Sequence, residues 1–154
     1  MTKEETTKIL VILEMAYPNH YKNLTQEEKS AVITLWAVQF RAVPQKLITK
    51  AVYSLISTNK FPPTISDVWD KIKEYKREAI NLLESHDNAL DTITSLKKMF
   101  NEGIPEDVVE QIEQEARARV LNEKTLNALK KIASIGNERT SELSLLATIE
   151  NKGD

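Results

Sequence analysis

Glycine is the feature that most constrains this chain: only Gly103, Gly136 and Gly153 occur in 154 residues. Tight hairpins need residues that tolerate positive φ at their turns, and strands show as alternating runs rich in β-branched and aromatic residues. The sequence supplies neither. Helix is the remaining way to pair the backbone, and helix signals run along most of the length. The expected class is all-α, with a compact four-helix N-terminal domain followed by a helical C-terminal arm.

The first helix is expected to start at Thr2, with Glu5 three residues on as a capping-box partner. Ile9, Leu10, Ile12 and Leu13 give it an apolar face, and Tyr17 and Pro18 end it. Thr25 and Glu28 open a second helix whose stripe is Val32, Leu35, Trp36 and Phe40. Pro44 suits the first turn of a third, where Leu47, Ile48, Ala51, Val52, Leu55 and Ile56 show the cleanest periodicity in the chain. Phe61, Pro62 and Pro63 force an extended connection. Thr64 with Asp67 then begins a fourth helix, carrying Val68, Trp69, Ile72 and Tyr75 and continuing through Ala79, Ile80, Leu82 and Leu83. The polar residues 85–88 are expected to form a hinge, which divides the chain into a domain over 1–84 and an arm over 85–154. Within the arm, Ala89, Leu90, Ile93, Leu96 and Phe100 repeat at helical spacing up to Gly103, a C-cap candidate, and Pro105 opens the next segment. Val108, Val109, Ile112, Ala116, Val120 and Leu121 follow, then Leu126, Leu129, Ile132, Ala133 and Ile135, as one long helix or as two broken near Asn122. After Gly136 the tail is polar except for Leu143, Leu145, Leu146 and Ile149, too few apolar groups to hold a helix alone in water.

Several function classes lack their chemistry here. No cysteine is present, which excludes disulfides, thiolate metal sites and a cysteine nucleophile, and suits a reducing cytosol. The charged opening, MTKEETTKIL, has no apolar leader, and no window approaches the roughly 18 apolar residues of a spanning helix. A cytoplasmic protein without membrane association is expected. Three scattered glycines cannot build a phosphate-binding loop. His20 and His86 are the only histidines and have no partner at metal-ligand spacing, so both are expected to be ordinary surface or turn residues. Glu27 and Glu28, like Glu106 and Asp107, occupy first turns where the helix dipole favours them. No nucleophile, base and orienting group can be assembled. We therefore expect no enzymatic activity, cofactor or metal.

Charge is unevenly distributed. Residues 1–83 hold 12 Lys and Arg against 9 Asp and Glu, a net of +3, while residues 84–154 hold 9 against 14, a net of −5. With a pI near 5.8, a tight grip on phosphate backbone is not the expected main activity. The one basic cluster, Lys71, Lys73, Lys76 and Arg77, is interleaved with Glu74 and Glu78, and a solvated mixed face is favoured over a DNA patch. Lys73, Lys76 and Arg77 would be the contacts of a nucleic-acid-binding alternative. Trp36 and Trp69 could stack on bases, but both lie on apolar stripes, which favours the core. The acidic face Glu106, Asp107, Glu110, Glu113 and Glu115 would complement a basic groove on a protein partner. On apolar spacing, Val109 and Ile112 with Glu113 are the candidate partner contacts on that helix. Leu143, Leu146 and Ile149 in the tail are a second set, either groove-seeking or docked on the chain's own domain.

About the first 78 residues, through MTKEETTKIL and AYPNHY, then VITLWAVQF, then PQKLITKAVYSLISTNKFPPTISDVWDKI, resemble the replicative helicase loader and inhibitor family encoded by phages and prophages of Gram-positive bacteria. The KFPPTISDV passage carries the resemblance most. The resemblance implies a helical N-terminal domain and a more mobile C-terminal part. It further implies an adaptor without its own ATPase, which binds a hexameric, ATP-bound replicative helicase, restrains it, and delivers it to an origin-bound initiator protein. In that family the C-terminal part is associated with helicase binding. It is also largely unfolded there, whereas residues 89–135 of this chain carry clear helical periodicity. Beside this reading stand the nucleic-acid-binding accessory protein and a phage assembly protein that self-associates through its arm.

Overall fold

The computed structural model describes residues 1–136, with Phe100 described by its backbone alone. All regular structure among them is α-helix: α1 (Lys3–Ala16), α2 (Pro18–Tyr21), α3 (Gln26–Gln39), α4 (Gln45–Thr58), α5 (Ile65–Asn101), α6 (Glu106–Ala118) and α7 (Glu123–Ala133). The expected all-α class is what the chain adopts. The described residues form two compact units that divide between Glu74 and Tyr75.

In unit 1, residues 1–74, the helices begin where side chains satisfy the free N–H groups of the first turn. Thr2 Oγ1 accepts from the Glu5 N–H at 3.2 Å while Glu5 Oε2 accepts from the Thr2 N–H at 2.8 Å. Thr25 and Glu28 repeat the arrangement at 3.2 and 2.8 Å. Thr64 and Asp67 make a third, at 3.2 and 2.7 Å. Pro44 serves as the N-cap of α4 rather than in its first turn, with an extended ψ of 134°. The single turn α2 adds to the expected elements; Pro18, pre-set in φ and lacking an N–H, starts it directly after α1.

α1 packs on α2, α3 and α4. Ile9, Leu13, Phe40, Ile48, Val52, Val68 and Ile72 each retain at most 1% of their exposure. Burial of side chains this size is worth ~1.5–3 kcal/mol apiece before the entropy of ordering them is set against it. Phe40 is the centre of an aromatic cluster, with its ring 5.5 Å from that of Trp36 and stacked on Trp69 at 5.2 Å and 29°. Trp36 is buried and Trp69 half-buried, so both belong to the core and neither offers a platform for bases. The Tyr17 hydroxyl donates to the Asn59 carbonyl at 3.0 Å, tying the ends of α1 and α4. Lys29 of α3 pairs with Glu14 of α1 at 2.8 Å. One stripe residue departs from expectation: Leu35 is 52% exposed, because it precedes the buried Trp36 by one residue and points about 100° away around the helix.

Unit 2, residues 75–136, begins inside α5. The hinge expected at residues 85–88 is absent, since α5 continues unbroken for 37 residues, about 55 Å at helical rise. Ser, His, Asp and Asn lower helix propensity by only a few tenths of a kcal/mol each, and without Gly or Pro nothing there breaks the ladder. His86 corrects a second expectation. It lies on the inner side of α5 at 6% exposure, with Nδ1 3.3 Å from Asp87 Oδ1, and is not a surface residue. Gly103 ends the helix region in the left-handed conformation, φ +91°, where a side chain would be strained. The Ile104 N–H donates back to the Met99 carbonyl at 3.5 Å. Pro105 caps α6, and the open question after it resolves into two helices: Asn122 caps α7, its Oδ1 accepting from the Thr125 N–H at 2.9 Å. Lys76 Nζ donates to the Ile135 carbonyl at 2.9 Å, fixing the end of the α7 region beside the start of the unit.

The interior of unit 2 is made of Ala79, His86, Ala89, Leu96, Val109 and Ala116. Several residues expected on its apolar stripes are exposed instead, among them Ile80, Leu82, Leu90, Val108 and Val120. Three of the six buried residues are alanines, so α5 and α6 bury little volume and leave larger apolar side chains at the surface.

Candidate functional site

A groove of about 350 Å³ runs along unit 2 between α5 and α6. Asn81, Ser85, Asn88 and Thr92 form its α5 wall, with Glu84 at the edge; Ile112, Glu115 and Arg119 form its α6 wall, and Ala89 and Ala116 its base. A second hollow of about 490 Å³ shares Asn88, Thr92 and Ile112 and extends the groove toward Ser95, Leu96 and Met99. The α5 wall follows one rule. Positions 81, 85, 88, 92, 95 and 99 are spaced four, three, four, three and four, which places them on one continuous stripe of a helix. All are small or short except Met99, so the groove stays shallow along the stripe and widens only where Ile112 faces it.

Electrostatically the walls are acidic. Glu84, Asp91 and Glu115 oppose the single cation Arg119 among the lining residues. Beyond the rim, α6 carries Glu106, Asp107 and Glu110 in its first turns, all exposed, with Glu113 answered by Arg117 at four residues' spacing. The mixture of a half-exposed isoleucine, a methionine and exposed carboxylates suits recognition of a protein surface and holds no catalytic grouping. Among the described residues no cluster of three or more His, Asp or Glu side chains could hold a metal ion. No helix among them is long and apolar enough to cross a membrane.

The residues singled out from the sequence separate in space. Ile112 is 40% exposed and faces the groove, whereas Val109 is 7% exposed and turned into the unit's interior. Glu113 is half-buried and paired with Arg117. Leu143, Leu146 and Ile149 lie outside the described residues. Of the basic cluster, Lys71 pairs with Glu74 at 2.8 Å and Lys73 with Asp70 at 2.9 Å. Lys76 is turned to the Ile135 carbonyl, and Arg77 is exposed. Lys71 and Lys73 neutralise neighbours on their own helix and Lys76 caps a carbonyl, so the cluster does not form a phosphate-facing row.

Unit 1 has a smaller concavity of about 160 Å³ between α1, the end of α2 and α3, lined by Leu10, Val11, Leu24, Val32 and Ile33 with the Glu14–Lys29 pair beside them. Tyr21 also lines it, and burial, with smaller contributions from Tyr17 and Glu14, pushes its phenol above the ordinary value. The Asn81, Ser85, Asn88, Thr92 and Ser95 stripe escapes a search for apolar periodicity. Its signal is present, as a four-three repeat of small polar residues, but only a reading that tracks size as well as polarity would find it.

Residues 1–69 match the family model for the N-terminal domain of the gp39 proteins of phages. No curated protein and no solved structure matches the chain. The match takes in α1 to α4 and the first residues of α5, and leaves unit 2 outside it. It concerns the phage helicase loader and inhibitor family that the sequence resembles, so the N-terminal part of this chain is similar to the N-terminal domain of those proteins.

Proposed function

We propose that this protein is a non-catalytic accessory factor of phage DNA replication that binds a replicative ring helicase, of the phage or of its host. The match of residues 1–69 to the N-terminal domain of the gp39 family carries this reading. In the proposed division of labour, the packed first unit is the scaffold. Residues from the second unit onward engage the helicase in its hexameric, ATP-bound form, restrain it, and deliver it to an origin-bound initiator. The acidic groove of unit 2 supports that assignment, because it offers exposed apolar and negative surface on an otherwise thinly packed hairpin of helices. The ion-paired state of Lys71 and Lys73 gives the nucleic-acid alternative no support.

Size-exclusion chromatography with light scattering tests the reading directly, with this protein mixed with a Gram-positive replicative hexamer in the presence and absence of a non-hydrolysable ATP analogue. A co-eluting complex that depends on nucleotide is the expected result. Separate elution under both conditions, with the hexamer intact, would reject it. Replacing Leu143, Leu146 and Ile149 together by Asp is expected to abolish the complex while leaving the circular dichroism of the chain unchanged. Full affinity in that variant would remove the tail from the interface.

A further inference from the structure

We infer that the α5–α6 groove of unit 2 receives a single amphipathic helix with cationic flanks, supplied by the binding partner. The inference rests on the proposed function for the partner's identity, but its chemistry comes from the groove itself. The stripe from Asn81 to Met99 covers about 27 Å of unbroken helix, long enough to lie alongside a partner helix of similar length. Its four-three spacing is the spacing that lets two helices stay in register at a shallow crossing angle, and its short side chains let the backbones approach. Ala89 and Ala116 at the base leave room that larger residues would fill. Ile112 projects into the middle from the opposite wall and gives the occupant one apolar contact to bury.

Charge selects the occupant. Glu84 and Asp91 are exposed and seven residues apart, which puts both on the same outer edge of α5, while exposed Glu115 stands on the α6 wall. A helix lying between them meets carboxylates on both sides, so lysines or arginines on its flanks are attracted and acidic flanks are repelled. Arg119 marks the one end where the occupant's charge should fall away or reverse.

The test uses the full chain and two synthetic helices about 27 Å long, stapled to hold their conformation. One has a leucine and alanine stripe flanked by lysines; the other has glutamates in the lysine positions. In fluorescence anisotropy the cationic peptide is expected to bind at least tenfold more tightly than the anionic one, with affinity falling as salt rises. Glu84→Gln, Asp91→Asn and Glu115→Gln combined should weaken the cationic peptide about tenfold, a modest effect per exposed pair. Thr92→Trp, at an exposed position in mid-groove, should abolish binding without changing the melting temperature. Equal affinity for the two peptides, no binding of either, or an unaffected Thr92→Trp variant would overturn the inference. The helicase separates this from the functional reading. A helicase complex that survives Thr92→Trp would sink the groove and leave the function standing, whereas a wild-type chain that binds the cationic peptide but no helicase would do the reverse.

Discussion

The two units are built from the same helical elements and differ in what they bury. Unit 1 encloses Phe40, Ile9, Leu13, Ile48 and Ile72 almost completely and starts three of its helices with reciprocal side-chain and backbone bonds. Unit 2 closes over alanines, one leucine, one valine and a histidine, and α7 buries no residue fully. Large buried side chains make a fold self-sufficient, because each removes more apolar surface from water than its ordering costs. A unit that buries alanines and leaves Ile112, Val108 and Leu90 at its surface gains less from folding alone. Such a unit has more to gain from a partner. The family match stops where the tightly packed part ends, and the groove lies beyond it.

The largest expected effect tests the self-sufficiency of unit 1. Phe40→Ala removes the ring that sits between Trp36 and Trp69, and should lower unfolding stability by ~3–5 kcal/mol in a urea titration. Leu96→Ala, at the largest buried aliphatic position of unit 2, should lower it by only about 2 kcal/mol, the bottom of the range for such truncations, because thin packing around it can relax. A Leu96→Ala cost equal to that of Phe40→Ala would erase the contrast. Hydrogen exchange extends the same comparison without mutation: amides of α6 and α7 should lose protection at lower urea than those of α1 and α4.

How far this contrast is legible in the sequence depends on what kind of signal each feature leaves. Caps leave local ones. Thr2 with Glu5, Thr25 with Glu28 and Thr64 with Asp67 are each readable from residue type and spacing, as is the break at Asn122, because a cap is satisfied within four residues of itself. Burial leaves weaker signals. Leu35 and Trp36 are adjacent and both apolar, and which of them turns inward is decided by Phe40 and Trp69, not by α3 alone. The failure at residues 85–88 has another origin. Polarity there suggests a hinge, but polarity does not end a helix; loss of the N–H or relief at positive φ does, as at Pro105 and Gly103. The groove is illegible to a search for apolar stripes because its wall is a stripe of small polar residues, and its charge is spread over two helices.

Caps give a smaller effect than cores and should distinguish the units less. Thr25→Ala and Asn122→Ala each remove a side-chain oxygen that accepts from a backbone N–H in a first turn, at 3.2 and 2.9 Å, and each should lower stability by about 1 kcal/mol. If the Asn122 variant leaves unit 1 protection unchanged while opening α7, the two units unfold as separate cooperative pieces. A uniform loss of protection across the chain would instead make α5 a coupling rod through which a local defect is shared.

The smallest effect appears only when pH is varied. The Glu28 carboxylate accepts from the Thr25 N–H at 2.8 Å and from the Thr25 hydroxyl at 3.0 Å, and these bonds, the backbone one foremost, hold it below the ordinary carboxylate value. A carboxylate depressed in the folded state contributes stability that is present above its unfolded pKa and is lost as pH falls through its folded one. The α7 cap has no such dependence, because Asn122 does not titrate. Glu28→Gln should therefore cost stability near neutral pH, and the gap between variant and wild type should narrow as pH drops from about 6 to about 3, the span over which carboxylates take up protons. Asn122→Ala should keep a constant gap over the same span. A Glu28→Gln gap that does not change with pH would mean that the box acts through hydrogen-bond geometry alone, and the charged caps of unit 1 would then be no different in kind from the neutral cap of unit 2.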